Sequence, residues 1–329
     1  MATSVWFYII FTAFVLGMLA LDLGVFHREA HVIKAKEAGT WVAVWMALAM
    51  LFAVGLYVTH GGEIALLFVT GYLIEQSLSV DNIFVIVMIF TYFRIPDRYQ
   101  HRVLFWGIVG ALLMRGIFIG MGALLIQQFA WIMYIFGAFL IFTGIKMATQ
   151  QDEEFDGEKN IVMRTARRFL RVTNDYDGQR FFTVKNGQRF ATPLFLVLLL
   201  VEFTDLVFAV DSIPAIFAVT TDPALVYTSN VFAILGLRSM YFLLAGIVHR
   251  FVYLKYALAV ILTFVGIKMM IVDFFHVPIL VSLGVIVVSL GVAITASLLR
   301  PPAPPDVVAP NKGTTGSIFG SVHRPQDQE

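Results

Sequence analysis

Five carboxylates sit where this sequence is otherwise apolar. Glu75 and Asp81 lie in the hydrophobic run Ile64–Phe93, and Glu202, Asp205 and Asp211 lie in the run Ala191–Val219. A charge at the centre of a lipid bilayer costs roughly 2.5–3.5 kcal/mol on insertion scales, so such a group usually faces a partner, a cavity or a permeating ion. Neutral oxygen donors accompany the acids: Asn82, Ser79, Thr204 and Ser212. Carboxylate, carbonyl and water ligands suit Mg, Ca and Mn, whereas thiolate and imidazole suit Zn, Cu and Ni. The chain has no cysteine, and His27, His31, His60, His101, His249, His276 and His323 all fall at run ends, in connections or in the tail. The chemistry indicated is the handling of a hard divalent cation. Its expected ligands are Glu75, Asp81, Asn82, Glu202, Asp205, Asp211 and Ser212, with Ser79, Thr204 and Asp22 as accessory candidates.

Spacing constrains how these groups can meet. A helix turns about 100° per residue, so residues three or seven apart share a face. Glu202 and Asp205 do so, as do Glu75 with Asn82 and Asp205 with Ser212. Asp81 and Asp211 follow Glu75 and Asp205 by six residues, which on a regular helix aims each pair about 120° apart. Either the helix is locally broken or each acid faces a different neighbour. Pro214 favours a break in the second run, because its ring nitrogen cannot donate to the Val210 carbonyl. Arg115 and Arg238, near the middles of two other runs, are the expected charge-balancing groups. Five acids against two arginines leave three charges over, which a divalent ion and a proton would neutralise. A buried carboxyl can also stay protonated, and so carry protons. The competing reading is that acids and arginines simply form buried ion pairs, although two such pairs do not absorb five acids.

The elements that must position these residues are membrane spans. The chain is 59% hydrophobic and 14% charged, with a mean hydropathy of +0.83, against about 25% charged residues in soluble domains. A crossing helix needs about 20 mostly apolar residues. That template predicts an all-α polytopic membrane protein with nine transmembrane helices near 4–26, 41–59, 64–93, 102–127, 131–149, 191–219, 224–248, 252–272 and 277–299. The first is followed by His27 and Arg28 with no small-residue cleavage site, and reads as a span, not a removable signal. Lys and Arg crowd the connections near 27–40, 94–102, 150–190 and 249–255 and are absent from 60–63, 128–130 and 220–223. Positive-inside counting then puts the N-terminus outside and the C-terminus in the cytoplasm.

Overlaying the two acidic runs exposes a duplication. Ser77-Leu-Ser-Val-Asp81-Asn82 matches Val207-Phe-Ala-Val-Asp211-Ser212, Leu112-Leu-Met-Arg115 matches Leu235-Gly-Leu-Arg238, and Thr143-Gly-Ile-Lys-Met147 matches Val265-Gly-Ile-Lys-Met269. Three spans per unit make the second unit inverted, an arrangement that places substrate near the midplane between repeats. The expected organisation is two N-terminal spans (1–60), a first three-helix repeat (64–149), a cytoplasmic loop (150–190), a second repeat (191–272), a last span (277–299) and a disordered cytoplasmic tail (300–329) holding six of the eleven prolines. In the loop, Arg164, Arg167, Arg168 and Arg171 interleave with apolar residues as a basic amphipathic helix, read first as a lipid-surface anchor. Asn186-Gly187 signals a hairpin.

The stretches Gly71-Tyr-Leu-Ile-Glu75-Gln-Ser-Leu-Ser-Val-Asp81-Asn82 and Glu202-Phe-Thr-Asp205-Leu-Val-Phe-Ala-Val-Asp211-Ser-Ile-Pro214 closely resemble the TerC family of bacterial integral membrane proteins, especially its Alx-like branch. Ala20-Leu-Asp-Leu-Gly24 and Tyr134-Ile-Phe-Gly-Ala138 extend the match over roughly 21–294. The resemblance implies a nine-helix protein of the bacterial inner membrane, with tellurium resistance in the family's name and manganese export associated with Alx-like members. It carries the acidic motif onto Glu75, Asp81, Asn82, Glu202, Asp205, Asp211 and Ser212.

The leading expectation is a secondary transporter exporting Mn²⁺, coupled to protons through its carboxyl groups. The alternative is a membrane interaction protein that supports metal delivery to secreted proteins, or a tellurite-resistance complex, through 150–190. An intramembrane protease is disfavoured, because the Gly-x-Gly-Asp signature is missing and no nucleophile–base pair is placed for catalysis. No enzyme activity, cofactor or nucleic-acid partner is expected. The partners are the lipid bilayer and a divalent metal ion, with a protein partner or homo-oligomer left open.

Overall fold

The computed structural model describes residues 5–24, 35–129, 131–149, 161–173, 175–185, 187–245 and 253–299. The tail from 300, the connection 25–34 and the acidic stretch 152–158 fall outside the described residues. The same holds for the side chains of Asp22 and Arg167.

Every apolar run is helical, as lipid requires: with no water to pair with, backbone polar groups must be satisfied within each segment. Helices α1 (Val5–Gly24), α2 (Ala35–His60), α3 (Gly62–Tyr92), α4 (Asp97–Gln128) and α5 (Ile132–Thr149) precede the polar loop. After it come α7 (Pro193–Phe217), α8 (Pro223–Leu244), α9 (Leu254–Met270) and α10 (Ile279–Leu299). Among the described residues, six helices are long and apolar enough to cross a membrane: α2, α3, α4, α5, α7 and α10. This is an integral, multi-pass membrane protein. Helix α8 is not among the six, and its surroundings explain why. It is buried almost all round and carries Thr228, Ser229, Asn230, Arg238 and Ser239 against other helices, not against lipid. The outer faces of the bundle are apolar and exposed, as at Val58, Leu113, Leu124, Phe142 and Val288.

Contacts fix how the helices run past one another. Along α4 and α7, Gly107 meets Val201, Gly110 meets Glu202, Arg115 meets Asp205 and Gly122 meets Phe217, so these two run parallel. Gly71 against Ser229 and Gln76 against Gly236 make α3 and α8 parallel as well. Gly71 against Ile216 and Asn82 against Asp205 make α3 and α7 antiparallel.

Helices α5 and α9 pack closest, backbone to backbone. A β-carbon added to Gly144 would stand 2.8 Å from the Ala259 carbonyl oxygen and 3.0 Å from the Thr263 nitrogen. One added to Gly266 would stand 2.7 Å from the Gly137 carbonyl oxygen and 3.0 Å from the Ile141 nitrogen. Small residues permit such approaches in lipid. The contacts are reciprocal: 144 to 266, 137 to 259 and 141 to 263 are each 122 positions apart, and the order shows that the helices run antiparallel.

One expectation needs revision. Pro214 does not break its helix: it lies three residues from the end of α7 at Phe217, and only the Val210 carbonyl loses its donor. The polar loop also carries packing contacts that the lipid-anchor reading does not include. The expected basic helix is present as α6 (Ile161–Phe169), followed by the hairpin of β1 (Phe182–Lys185) and β2 (Gln188–Ala191). Gly187 in the turn has φ +75°, a left-handed conformation that glycine adopts without strain. This module is docked onto the α3–α4 turn. The Tyr176 hydroxyl donates to the Phe93 carbonyl at 2.9 Å, and burial pushes that hydroxyl up to about 12. The Arg102 guanidinium lies 5.1 Å above the Phe181 ring.

Candidate functional site

Four helices, α3, α4, α7 and α8, bring the polar residues of the core together midway along the bundle. Arg115 organises them. It projects from α4 with only 2% exposure and forms an ion pair with Glu75 of α3, which is fully buried. Its Nη2 donates to Asp205 Oδ1 of α7 at 3.2 Å, its Nε to Asp205 Oδ2 at 3.5 Å, and its Nη1 to Asn230 Oδ1 of α8 at 3.4 Å. Asn82 of α3 adds a donor of its own, Nδ2 to Asp205 Oδ1 at 3.4 Å. Guanidinium suits this role because its planar fork offers several fixed donors to carboxylates at once.

A cavity of about 20 Å³ opens beside the cluster, bounded by Asn82, Thr204, Asp205 and Arg238 together with apolar residues of α3, α4, α7 and α8. That is room for about one water-sized body. Four buried polar atoms of the cluster find no hydrogen-bond partner: Asn82 Oδ1, Asn230 Nδ2 and both oxygens of Glu75, of which Oε1 is ion-paired with Arg115. Thr204 lines the cavity, but its hydroxyl is bonded back to the Leu200 and Val201 carbonyls, each at 2.9 Å.

The remaining candidate residues lie apart. Asp211 is half-buried on another flank of α7, where the Thr143 hydroxyl of α5 donates to its Oδ1 at 3.2 Å. Glu202 is half-buried and lays its carboxylate against Gly110 of α4, where no β-carbon would fit. Ser79 and Ser212 are buried outside the cavity lining, and the Ser212 hydroxyl has no hydrogen-bond partner. Asp81 is half-buried and also off the lining. Among the described residues, no three acidic or histidine side chains gather as a group able to hold a metal.

The single five-carboxylate cage therefore does not form in this arrangement. The reason is geometric: α7 is an unbroken helix, so Asp205 and Asp211 point to different neighbours, the first to Arg115 and the second to Thr143. Two participants were not anticipated, Asn230 and Thr143. An amide inside the apolar run Val226–Leu237 is the signal that could have found Asn230. Nothing local marks Thr143.

Comparison with known proteins follows from this geometry. The family described as "Integral membrane protein TerC family" matches residues 60–303. The chain is 58% identical over 290 residues to "Uncharacterized membrane protein STKORF319" of Myxococcus xanthus, covering 88% of this chain and 91% of that one. It is 56% identical over 286 residues to "Putative membrane-bound redox modulator Alx" of Escherichia coli (strain K12), covering 84% and 89% respectively. A membrane protein of Rickettsia bellii is 43% identical over 293 residues, covering 89% and 97%. No solved structure matches.

Proposed function

Since the chain belongs to the TerC family of integral membrane proteins, we propose that it is a secondary transporter of the bacterial inner membrane exporting a hard divalent cation, Mn²⁺. The observation that carries this reading is the buried Glu75–Arg115–Asp205–Asn82 cluster beside a small cavity at mid-bundle. Charged groups at that depth are costly to bury, and in membrane proteins they mark ion pathways. The donor atoms are carboxylate and amide oxygens, the set that suits Mn, Mg and Ca.

Nine crossings with two inverted three-helix repeats are the architecture we assign. The directions of α3, α4, α5, α7, α8 and α9 read from their contacts agree with alternate crossing, and the reciprocal glycine contacts of α5 and α9 are those a pseudo-two-fold axis would generate. Such an axis gives alternating access a physical basis, since the two units can exchange roles around one site. Asp211 and Glu202, in separate half-buried positions, are the proton-carrying candidates that would couple export to the proton gradient. The basic connections place the N-terminus outside. The relatives named as redox modulators carry that description for themselves. This chain has no cysteine, so its own thiols cannot mediate a redox effect.

The test is uptake into inverted membrane vesicles, with Mn, Mg, Ca, Fe and Zn compared. Accumulation of Mn²⁺ that disappears in Asp205→Asn supports export. Equal accumulation with and without the protein for every ion would defeat it.

A further inference from the structure

The Arg115 guanidinium occupies the position that a bound dication would need. It sits between carboxylates of two helices, Glu75 and Asp205, and reaches a third oxygen on Asn230. Two carboxylates with the Asn82 amide oxygen beside them are a hard-cation ligand set, and here a tethered cation, held in place by Asn230, sits between the carboxylates. An independent feature points to an entry side. Asn82 is 3% exposed and its Oδ1 acceptor is buried without a hydrogen-bond partner, while its amide nitrogen already holds Asp205 at the wall of the cavity.

We propose that Arg115 is a built-in substitute for the transported cation. In the empty carrier it bridges Glu75 and Asp205 and its single positive charge offsets one of their two negative charges. An ion entering by the Asn82 side displaces it from Asp205, and on release of the ion the guanidinium returns. This rests on the cation-transport reading and adds its regulation. Bare buried carboxylates would hold an empty carrier back, because moving uncompensated charge through a low-dielectric interior is unfavourable. Arg115 lowers that obstacle by compensating one of the two charges, and so eases the empty return step. It also competes with the ion, so it weakens binding.

The experiment uses the purified full-length chain in liposomes with radiolabelled Mn²⁺, comparing net flux with Mn²⁺–Mn²⁺ exchange, which needs no empty return. In Arg115→Gln, net flux is expected to fall about tenfold or more, the scale of losing a charge-assisted hydrogen bond, while exchange stays within about twofold. Arg115→Lys should recover part of the net flux, since it keeps the charge without the fork. Asn230→Ala removes one Arg115 hydrogen bond from a neutral position, and should lower the Mn²⁺ KM several-fold while the chain remains folded. Net flux and exchange falling together in Arg115→Gln, or net flux unchanged, would overturn the proposal. Should Arg115→Gln fail to fold, an unchanged or raised KM in Asn230→Ala would overturn it instead. A wild-type protein carrying no Mn²⁺ in either mode would remove the transport reading as well, and so is distinguishable from failure of this inference alone.

Discussion

The two halves of the bundle, α3–α5 and α7–α9, share a backbone plan and differ in the side chains hung on it. Where α5 and α9 cross, the halves are interchangeable: Gly144 nests against Ala259 and Thr263 as Gly266 nests against Gly137 and Ile141. Around the charged residues they are not. Asp211 of the second half takes a hydrogen bond from Thr143, but the residue matching Thr143 in the second half is Val265, which has no donor to offer Asp81. Arg115 joins acids from both halves, and its counterpart Arg238 lines the cavity beside Asp205. The lesson is a division of labour. Matched glycines set the backbone crossing of α5 and α9, and unmatched side chains give the acids of the two halves different surroundings.

Breaking the shared cluster should have the largest effect. Asp205→Asn removes the charge that Arg115 grips with two hydrogen bonds. Vesicle Mn²⁺ uptake should fall to background, and stability should drop by about 3–5 kcal/mol, the range for removing one partner of a buried ion pair. Thermal unfolding in detergent reads the second quantity.

The backbone half of the comparison is sharpened by Gly144→Ala and Gly266→Ala. Each forces a methyl group into a space bounded by a carbonyl oxygen under 3 Å away. Overpacking of this kind costs about 1–3 kcal/mol, and reciprocity requires the two variants to lose similar amounts. A loss at one glycine only would break the comparison.

A smaller effect is expected from Thr143→Val, which gives Asp211 the surroundings that Val265 implies for the other half. Losing a single hydrogen bond costs about 0.5–1.5 kcal/mol, so a several-fold fall in transport rate is expected. The converse change, Val265→Thr, should leave uptake near wild type. The smallest effect should come from Arg164→Gln with Arg168→Gln, since both side chains are exposed on α6, outside the bundle. Uptake should be unchanged within error. Loss of flux there would move the function toward the loop and favour the interaction-protein alternative.

Much of this was legible in the residues. Long apolar runs dictate helices whatever their partners, and Asn186-Gly187 between short alternating segments dictates a hairpin, as β1 and β2 show. Arg115 could be singled out because an arginine inside an apolar run must find acids. The partition of the acids could not be read in the same way. Whether Pro214 breaks α7 depends on how much helix remains beyond it, and only three residues follow before the helix ends at Phe217, so a continuous helix carries little strain. Asn230 and Thr143 escaped notice because ordinary polar residues acquire a role only from what stands opposite them, which is a property of packing. The docking of the polar loop was hidden for the same reason: the Tyr176 bond to Phe93 joins residues 83 positions apart.

The central claim is that a divalent cation takes the place between Glu75 and Asp205 that Arg115 now fills. Equilibrium binding of Mn²⁺ to the purified protein, followed by the loss of its free-ion electron paramagnetic resonance signal, tests this most directly. The account predicts saturable binding that strengthens in Asn230→Ala and vanishes in Asp205→Asn. Wild-type affinity retained in Asp205→Asn would contradict it.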